Sequence, residues 1–599
     1  MSKNKLIFLV ITVLILSPFL YFISNIILGV WSIRDLENNL KDGQIKKISS
    51  KSKLSANSFS HANKFLNIGS PLYSLIGLDN KIRKIEDLFF LAENISASIA
   101  LSSEAAEKSE KIFYDVFSGK QSNLNENLPE IKNLLEEAYD RTSLSQSLLN
   151  NFDGKEKIVG KYILKAKTFL PEWRSLLWQG NELVGITPKI LASKERKTYL
   201  LLFQNNMELR PTGGFIGSFG LVTFEKERLL DFEIMDVYSA DGQLRGHVDP
   251  PAKLKEFLGQ ENWYLRDSNW DPDFTTSAMR AQWFLEKEIG RKVDGVISLD
   301  LFVAQRFLKT YGEVNLPDYN EKINERNFFE RAQYHNEVGF FPGTTSKKDF
   351  LGAVSRAIFE RLKNAKTEEL AKTGMDVLTS LEEKDILLYV DESEAMKVFS
   401  KYNWDGGIKN VKCNPPAGGE KAKCFVDYLM MVEANVGVNK ANYFLERDLE
   451  IKTKINPDGR VEKKLTINYK NNSPSETFPG GSYKNYLRLY VPQESVIQEC
   501  MIGDLECQIE ETSEHSRTVF GFLVQVPVGK RQRVEVAWTL PGAFGQGQYR
   551  FFLQKQPGTR NDKLLVSFSH PRELSLTGKT PLIYNTTLSQ DKIVDLEFE

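Results

Sequence analysis

The spacing of the apolar residues changes twice along the chain, and the two changes set its plan. From Trp31 to about Arg196 apolar side chains recur at helical spacing. From Thr198 short apolar runs alternate with amphipathic stretches. After about Asp405 the helical period vanishes and alternation by two takes over. A segment patterned for one period does not settle into the other. The spacing therefore predicts a helical bundle or stalk over 31–196, an α/β domain over 197–405 and an immunoglobulin-like β-sandwich over 406–599. A chain of 599 residues is also too long for a single hydrophobic core.

In the helical part, one predicted face carries Ile82, Ile85, Phe89, Ala92, Ile95 and Ile99. A second carries Leu128, Ile131, Leu135 and Ala138. A third carries Ile158, Tyr162, Ala166, Phe169 and Trp173. These faces are not strict heptads, so a bundle with short loops is expected rather than a coiled coil. In the middle part, TYLLLF, FIGSFGLVTFE and RLLDFEIMDVYS read as strands, the last two as a hairpin turning at EKER. TTSAMRAQWFLEKEIG reads as a helix closed by Gly290, then KVDGVISLD as a strand and LFVAQRFLKTYG as a helix closed by Gly312. In the last third, seven or more strands follow at regular spacing, with a hairpin turn at Asn456–Gly459.

Behind Lys3 and Lys5, residues 6–30 form a run of 25 residues without a charge. A bilayer core needs about 20 apolar residues as helix. The run is longer than the roughly 7–15 apolar residues of a signal peptide, and no small-x-small cleavage site follows. The expectation is an uncleaved single-pass anchor in the cell membrane, with 1–5 cytoplasmic, the lipid bilayer as partner and the bulk of the chain extracytoplasmic. A signal peptide is the alternative. Arg34, Lys41, Lys46 and Lys47 follow the run, so the positive-inside count does not fix the orientation. Four cysteines form two pairs close in sequence, Cys413 with Cys424 and Cys500 with Cys507. Two local disulfides account for them. The spacings do not match a zinc site, and reduced, unrelated cysteines are the remaining alternative. The net charge of −1 supplies no basic face for nucleic acid.

Chemistry concentrates around NNMELRPTGGFIGSFG, Asn205–Gly220. Its four glycines suggest a phosphate cradle. However, a strand follows them where a nucleotide loop needs a helix, and no GK[ST] is present. Ile216 stands where a nucleophile elbow needs another spacing before Ser218. The competing reading is a tight turn with a crossing element packed against it. If the strands pair as expected, Glu208, Arg210, Asp236 and Asp241 gather at one sheet edge, with Arg245 and His247 just beyond. WYLRDSNWDPDF adds Arg266, Asp267, Asp271 and Asp273. Carboxylates in polar loops suit Mg²⁺, here Asp236, Asp267 and Asp271. Arginines beside them suit phosphate or pyrophosphate, with Gly213 and Gly214 leaving the backbone open. The bland reading of the same residues is solvated loops with Asx turns.

LLLFQNNMELRPTGGFIGSFG, DVYSADGQLRGHVDPP and WYLRDSNWDPDFTTSAMRAQWFLEKEIGRKVDGVISLD together resemble the bacterial domain-of-unknown-function family 4012. More distantly, RKVDGVISLDLFVAQRFLKTYGEVNLP and the strand–acid–arginine block before it are similar to the LytR–CpsA–Psr family. Those proteins transfer glycopolymers from a polyprenyl pyrophosphate carrier to peptidoglycan. That resemblance implies a phosphotransferase in which Glu208 stands at the family's Asp, Arg210 at its first Arg, and Arg356, in LGAVSRAIFERL, contacts the pyrophosphate. With the loop residues added, the expected catalytic set is Glu208, Arg210, Asp236, Asp241 and Arg266, and the expected phosphate-binding set is Arg210, Gly213, Gly214, Arg245 and Arg356. The R-S-D and I-P-R-D motifs of that family are replaced here by glycines and by MDVYSAD. The alternative is a non-catalytic envelope scaffold or a glycan- or lipid-binding protein.

Overall fold

The computed structural model describes residues 20–32, 44–68, 73, 75, 77–155, 159–338, 350–413, 424–477, 479–578 and 580–599. The chain divides into two compact units. One is Met1–Lys197 with Phe224–Leu230 and Leu362–Gly374. The other is Thr198–Thr223, Asp231–Arg361 and Met375–Glu599.

The expected membrane-spanning helix over 6–30 is corrected. Residues 6–19 lie outside the described residues, and residues 20–32 are helical. Among the described residues no helix is long and apolar enough to cross a membrane. On the described helical residues Phe22 stacks on Phe65 at 5.1 Å and meets Phe89 edge-on at 6.0 Å, while Leu20, Ile23, Ile27 and Val30 are exposed. The single-pass topology and the membrane localisation expected from the run have no support in the structure.

In the first unit, α1 (Ile45–Ile68), α2 (Asp79–Phe117), α3 (Leu124–Leu149) and α4 (Gly160–Ile190) each pack against the next. Leu128, Ile131 and Ala138 are buried as expected. Elsewhere the faces are rotated: Leu91, Ala100 and Ala105 are buried on α2, while Ile85 is exposed. On α4, Ile163, Leu170 and Leu177 are buried, and Tyr162 and Phe169 point outward. Ile158 lies outside the described residues. The reason is a core built partly from hydroxyls. Ser49, Ser52, Ser55 and Ser58 are buried on α1. Ser55 meets Ser96 at 2.9 Å, and Ser98 bonds Thr142 at 2.8 Å and the Ala138 carbonyl at 2.9 Å. Small side chains that satisfy their own polar atoms let helices approach closely, and a purely apolar periodicity does not register them.

In the second unit a five-stranded sheet runs in the order β3-β2-β1-β4-β7. Its strands are β1 (Lys197–Asn205), β2 (Phe215–Glu225), β3 (Arg228–Asp236), β4 (Gly295–Asp300) and β7 (Ile386–Val390). A short ribbon of β5 (Val314–Leu316) and β6 (Glu321–Ile323) lies between the last two in sequence. β1 pairs with β4 in parallel, and β4 pairs with β7 antiparallel. β2 and β3 are joined at Lys226 and Glu227, both left-handed (φ 50° and 64°), as a two-residue hairpin turn requires. The third strand is shorter than the sequence suggests. It stops at Asp236, which caps the helix α5 (Val237–Asp241) by accepting the Tyr238 N–H at 3.4 Å. The helix α6 (Phe274–Ile289) buries Phe274, Ala278, Ala281, Phe284 and Leu285 against Leu200, Leu202 and Val296 of the sheet.

Two further sheets form the β-sandwich, seven strands in one and six in the other. Their strands include β8 (Cys424–Asn435), β9 (Leu445–Ile455) and β10 (Val461–Asn471). Burial along β9 alternates without a break, and Leu449, Ile451, Leu465, Leu487, Val534 and Trp538 are all in the inter-sheet core. Both cysteine pairs, Cys413–Cys424 and Cys500–Cys507, are disulfide-bonded.

Candidate functional site

The loop from β1 to β2 is folded back on itself and buried. Gln204 at the end of β1 accepts the Gly214 N–H at 2.8 Å. Asn269 donates to the Gly214 carbonyl at 2.8 Å. The Phe215 N–H returns to the Glu208 carbonyl at 3.0 Å. The glycines serve this closure. Gly213 has φ 135°, and a Cβ on Gly214 would stand 2.3 Å from the Asn205 carbonyl carbon. The tight-turn reading accounts for both, through backbone approach that no side chain permits.

Glu208 and Arg210 are 5 % and 3 % exposed, and their partners come largely from the β-sandwich. Arg210 donates to Glu208 at 2.9 Å and to the Asn435 carbonyl at 2.6 Å. The second Glu208 oxygen takes Lys440. The backbone joins in: Asn435 N–H bonds the Leu209 carbonyl at 2.9 Å, and Leu209 N–H bonds Asn442 Oδ1 at 3.2 Å. Gln556 donates to the Arg210 carbonyl at 3.2 Å and to that of Glu433 at 2.7 Å. Gly558 lies so close that a Cβ there would sit 2.0 Å from the Gly213 oxygen. Burial pushes the Glu208 carboxyl up, but Lys440 and then Arg210 outweigh it and hold it below the usual range. The loop thus joins the α/β sheet to the sandwich.

Beside this joint lies a second group. Arg266, on a turn of 3₁₀ helix, donates to Asp241 at 2.7 Å and lies 3.3 Å from Asp267. Its guanidinium sits 4.4 Å from the Tyr264 ring centre and 5.5 Å from that of Tyr238. Burial pushes Asp267 up, against the electrostatic pull of Arg210 and Arg266. Burial also pushes Asp241 up to about 6. Glu288, at the end of α6, accepts the Leu265 N–H at 2.9 Å and is pushed up to about 8 by burial, with Asp241 adding to the effect. Of the set expected from strand pairing, Glu208 pairs with Arg210, and Asp241 is held by Arg266 of the separate WYLRDSNWDPDF loop, which also lies beside Asp267.

The remaining predicted residues stand apart. Asp236 is a helix cap. Asp271 bonds His515 at 2.8 Å and the Asp273 N–H at 2.8 Å. Arg245 and Arg356 are exposed on the surface. Among the described residues no group of three or more His, Cys, Asp or Glu could hold a metal ion, so Asp236, Asp267 and Asp271 do not form the expected Mg²⁺ site. Sequence reasoning missed Lys440, Gln556 and Gly558, which carry no local signal. It also missed Glu288, which a signal does mark: a carboxylate at the end of the stripe Ala281, Phe284, Leu285, in the last helical turn where the helix dipole disfavours it.

The comparisons with known proteins bear on this same segment. Residues 194–335 match the family described as "Protein of unknown function (DUF4012)". The matched stretch holds the whole loop, Asp241, Arg266, Asp267 and Glu288. None of the curated proteins matches the chain. Among solved structures, leukotriene A4 hydrolase from Saccharomyces cerevisiae aligns at 7 % identity and a TM-score of 0.19, over 26 % of this chain and 29 % of that one. An M1 zinc metallopeptidase from Deinococcus radiodurans aligns at 11 % identity and a TM-score of 0.15, over 26 % and 38 %. The chain spans well under half of either protein, and likenesses this weak say nothing of its own activity.

Proposed function

We propose that the protein is a non-catalytic, glycan-binding protein whose DUF4012 segment fastens an α/β domain to a β-sandwich. The observation that carries this reading is the state of Glu208 and Arg210. Both carboxylate oxygens of Glu208 are engaged, and Arg210 donates through its two terminal nitrogens to Glu208 and to the Asn435 carbonyl, leaving only its buried Nε without a partner. A general base or pyrophosphate clamp at these residues would first have to break a buried ion pair. Losing one partner of such a pair costs about 3–5 kcal/mol.

Transfer of a polyprenyl-pyrophosphate-linked glycopolymer to peptidoglycan, which the LytR–CpsA–Psr resemblance implies, is the second reading. Arg266 beside Asp267, with Arg210 near enough to pull the Asp267 carboxyl down, favours it, because guanidiniums beside an acid are what a pyrophosphate leaving group needs. The experiment incubates the protein with Mg²⁺, a short-chain polyprenyl pyrophosphate sugar and a peptidoglycan fragment. We expect no transfer and no release of pyrophosphate. Turnover by the wild type that disappears in Arg266→Gln, in a variant whose folding is confirmed by circular dichroism, would establish the transferase and overturn the binding reading.

A further inference from the structure

A polar cleft of about 590 Å³ opens beside the joint, between the α/β domain and the sandwich within the second unit. It is within the roughly 300–1,000 Å³ of ordinary ligand sites. One wall comes from the matched family segment, including Phe302, Arg306, Lys309 and Phe329. The other comes from the sandwich, including Tyr443 and Arg560. A smaller chamber of about 40 Å³ shares Phe302, Phe329, Tyr443, Thr559 and Arg560 with it and reaches Asn206 and Met207 of the buried loop.

The lining fits one ligand class better than others. Its formal charges balance: Arg306, Lys309 and Arg560 against Glu325, Glu383 and Asp385. Arg306 is already neutralised, paired with Glu383 and lying 3.1 Å from Asp385. A pyrophosphate needs an excess of cations, and this cleft has none. What it offers is a mixture of polar groups around aromatic rings: Asn561, the charged pairs, the amide oxygen of Gln305, whose nitrogen donates to the Glu325 carbonyl at 3.3 Å, and the hydroxyl of Thr559, which donates to the Gln556 carbonyl at 2.8 Å. Phe329 lies 5.7 Å from Tyr443 and 6.0 Å from Phe302, and Arg560 covers Tyr443 at 5.4 Å while bonding its carbonyl at 2.9 Å. Hydroxyls that both donate and accept, carried on a ring with an apolar face, satisfy such a surface.

We infer that this cleft is the binding site for a neutral, hydroxyl-rich oligosaccharide. The inference rests on the binding reading above and names its site. The test uses the full protein and saturation-transfer NMR with two probes, a hexose tetrasaccharide and an N-acetylhexosamine tetrasaccharide, with inorganic pyrophosphate as competitor. We expect signal from at least one tetrasaccharide. We expect the dissociation constant to rise at least tenfold in Tyr443→Ala and in the double variant Glu325→Ala/Arg560→Ala, whose positions are accessible enough to keep the fold. We expect pyrophosphate not to compete. Binding that both variants leave unchanged overturns the site while the glycan reading stands. No binding of either tetrasaccharide by the wild type overturns both. Displacement by pyrophosphate overturns the neutral-ligand assignment and points to an anion site in the cleft.

Discussion

Replacing Glu288 with Gln should stabilise the protein, and increasingly so as the pH rises. Glu288 is 4 % exposed and its carboxyl is pushed from an ordinary 4.5 up to about 8, chiefly by burial. The folded state therefore keeps a proton that the unfolded chain has already lost between pH 4.5 and 8. Stability from this group falls through that window as pH rises and is unaffected below it. Each pH unit between the unfolded and folded values costs about 1.36 kcal/mol, so the penalty is roughly 3 kcal/mol at pH 7, nears 5 kcal/mol above pH 8 and is under about 1 kcal/mol at pH 5. Gln keeps an acceptor for the Leu265 N–H and never ionises. With an unfolding entropy of about 2.1 cal/mol/K per residue over a unit of roughly 380 residues, 5 kcal/mol is about 6 °C. Calorimetry at pH 5, 7 and 8.5 should show Glu288→Gln melting within about 1 °C of wild type at pH 5 and about 4–6 °C higher at pH 8.5. An offset independent of pH, or a variant less stable at pH 8.5, refutes a protonated Glu288.

Three other outcomes follow from the joint and its surroundings. Glu208→Gln strips the charge that compensates Arg210 and Lys440, and should lower stability by about 3–5 kcal/mol in denaturant titration. Gly558→Ala places a Cβ 2.0 Å from the Gly213 oxygen at φ 74° and should cost several kcal/mol. Gly529→Ala, at φ 69° with nothing within 4 Å, should cost only about 1 kcal/mol, so equal losses by thermal melting would refute the close-approach argument. His515 is raised above its ordinary 6.5, first by its bond to Asp271. Its contribution is complete below pH 6.5 and fades as pH rises through the folded value, and Asp271→Asn should return its NMR titration midpoint toward 6.5.

What could be read from the sequence depended on whether a residue's role is local. Strands and helices of the α/β domain and the sandwich follow from period and from Gly290 and Gly312, because those signals act within one element. Strand pairing alone placed Glu208, Arg210 and Asp241 near one sheet edge, but it also placed Asp236 there, which instead caps a helix, and it did not bring in Arg266 and Asp267 from their separate loop. The role of Glu208 and Arg210 was not legible, because it depends on Lys440 and Asn435, more than 220 residues away. The helical faces failed for a different reason: Ser49, Ser52, Ser55 and Ser58 recur at helical spacing but are invisible to a search for apolar residues. The run over 6–30 was read from apolarity alone; among the described residues no helix is long and apolar enough to cross a membrane, and Phe22 packs on Phe65.

The same logic explains why a loop with charges and glycines resembles an active site. Catalysis and interdomain joints both need charged groups held in fixed geometry by a backbone that can approach closely. They differ in whether a lone pair or an N–H is left for a ligand. At Glu208 both carboxylate oxygens are taken, and Arg210 keeps only a buried Nε–H without a hydrogen-bond partner. The neighbouring carboxyls respond to the dry setting by holding protons: Asp241 to about 6 and Glu288 to about 8. Beside the joint, the cleft keeps its side chains accessible at Lys309, Glu325 and Arg560. Buried, paired charges on one side and accessible ones on the other place the joint in support of the cleft: Asn206 and Met207 belong to the buried loop and also line the chamber that continues the cleft. A substitution that loosens the joint, such as Glu208→Gln, should therefore weaken tetrasaccharide binding through Asn206 and Met207 even though Glu208 lies outside the lining. Unchanged affinity in a Glu208→Gln protein of lowered melting temperature would separate the two.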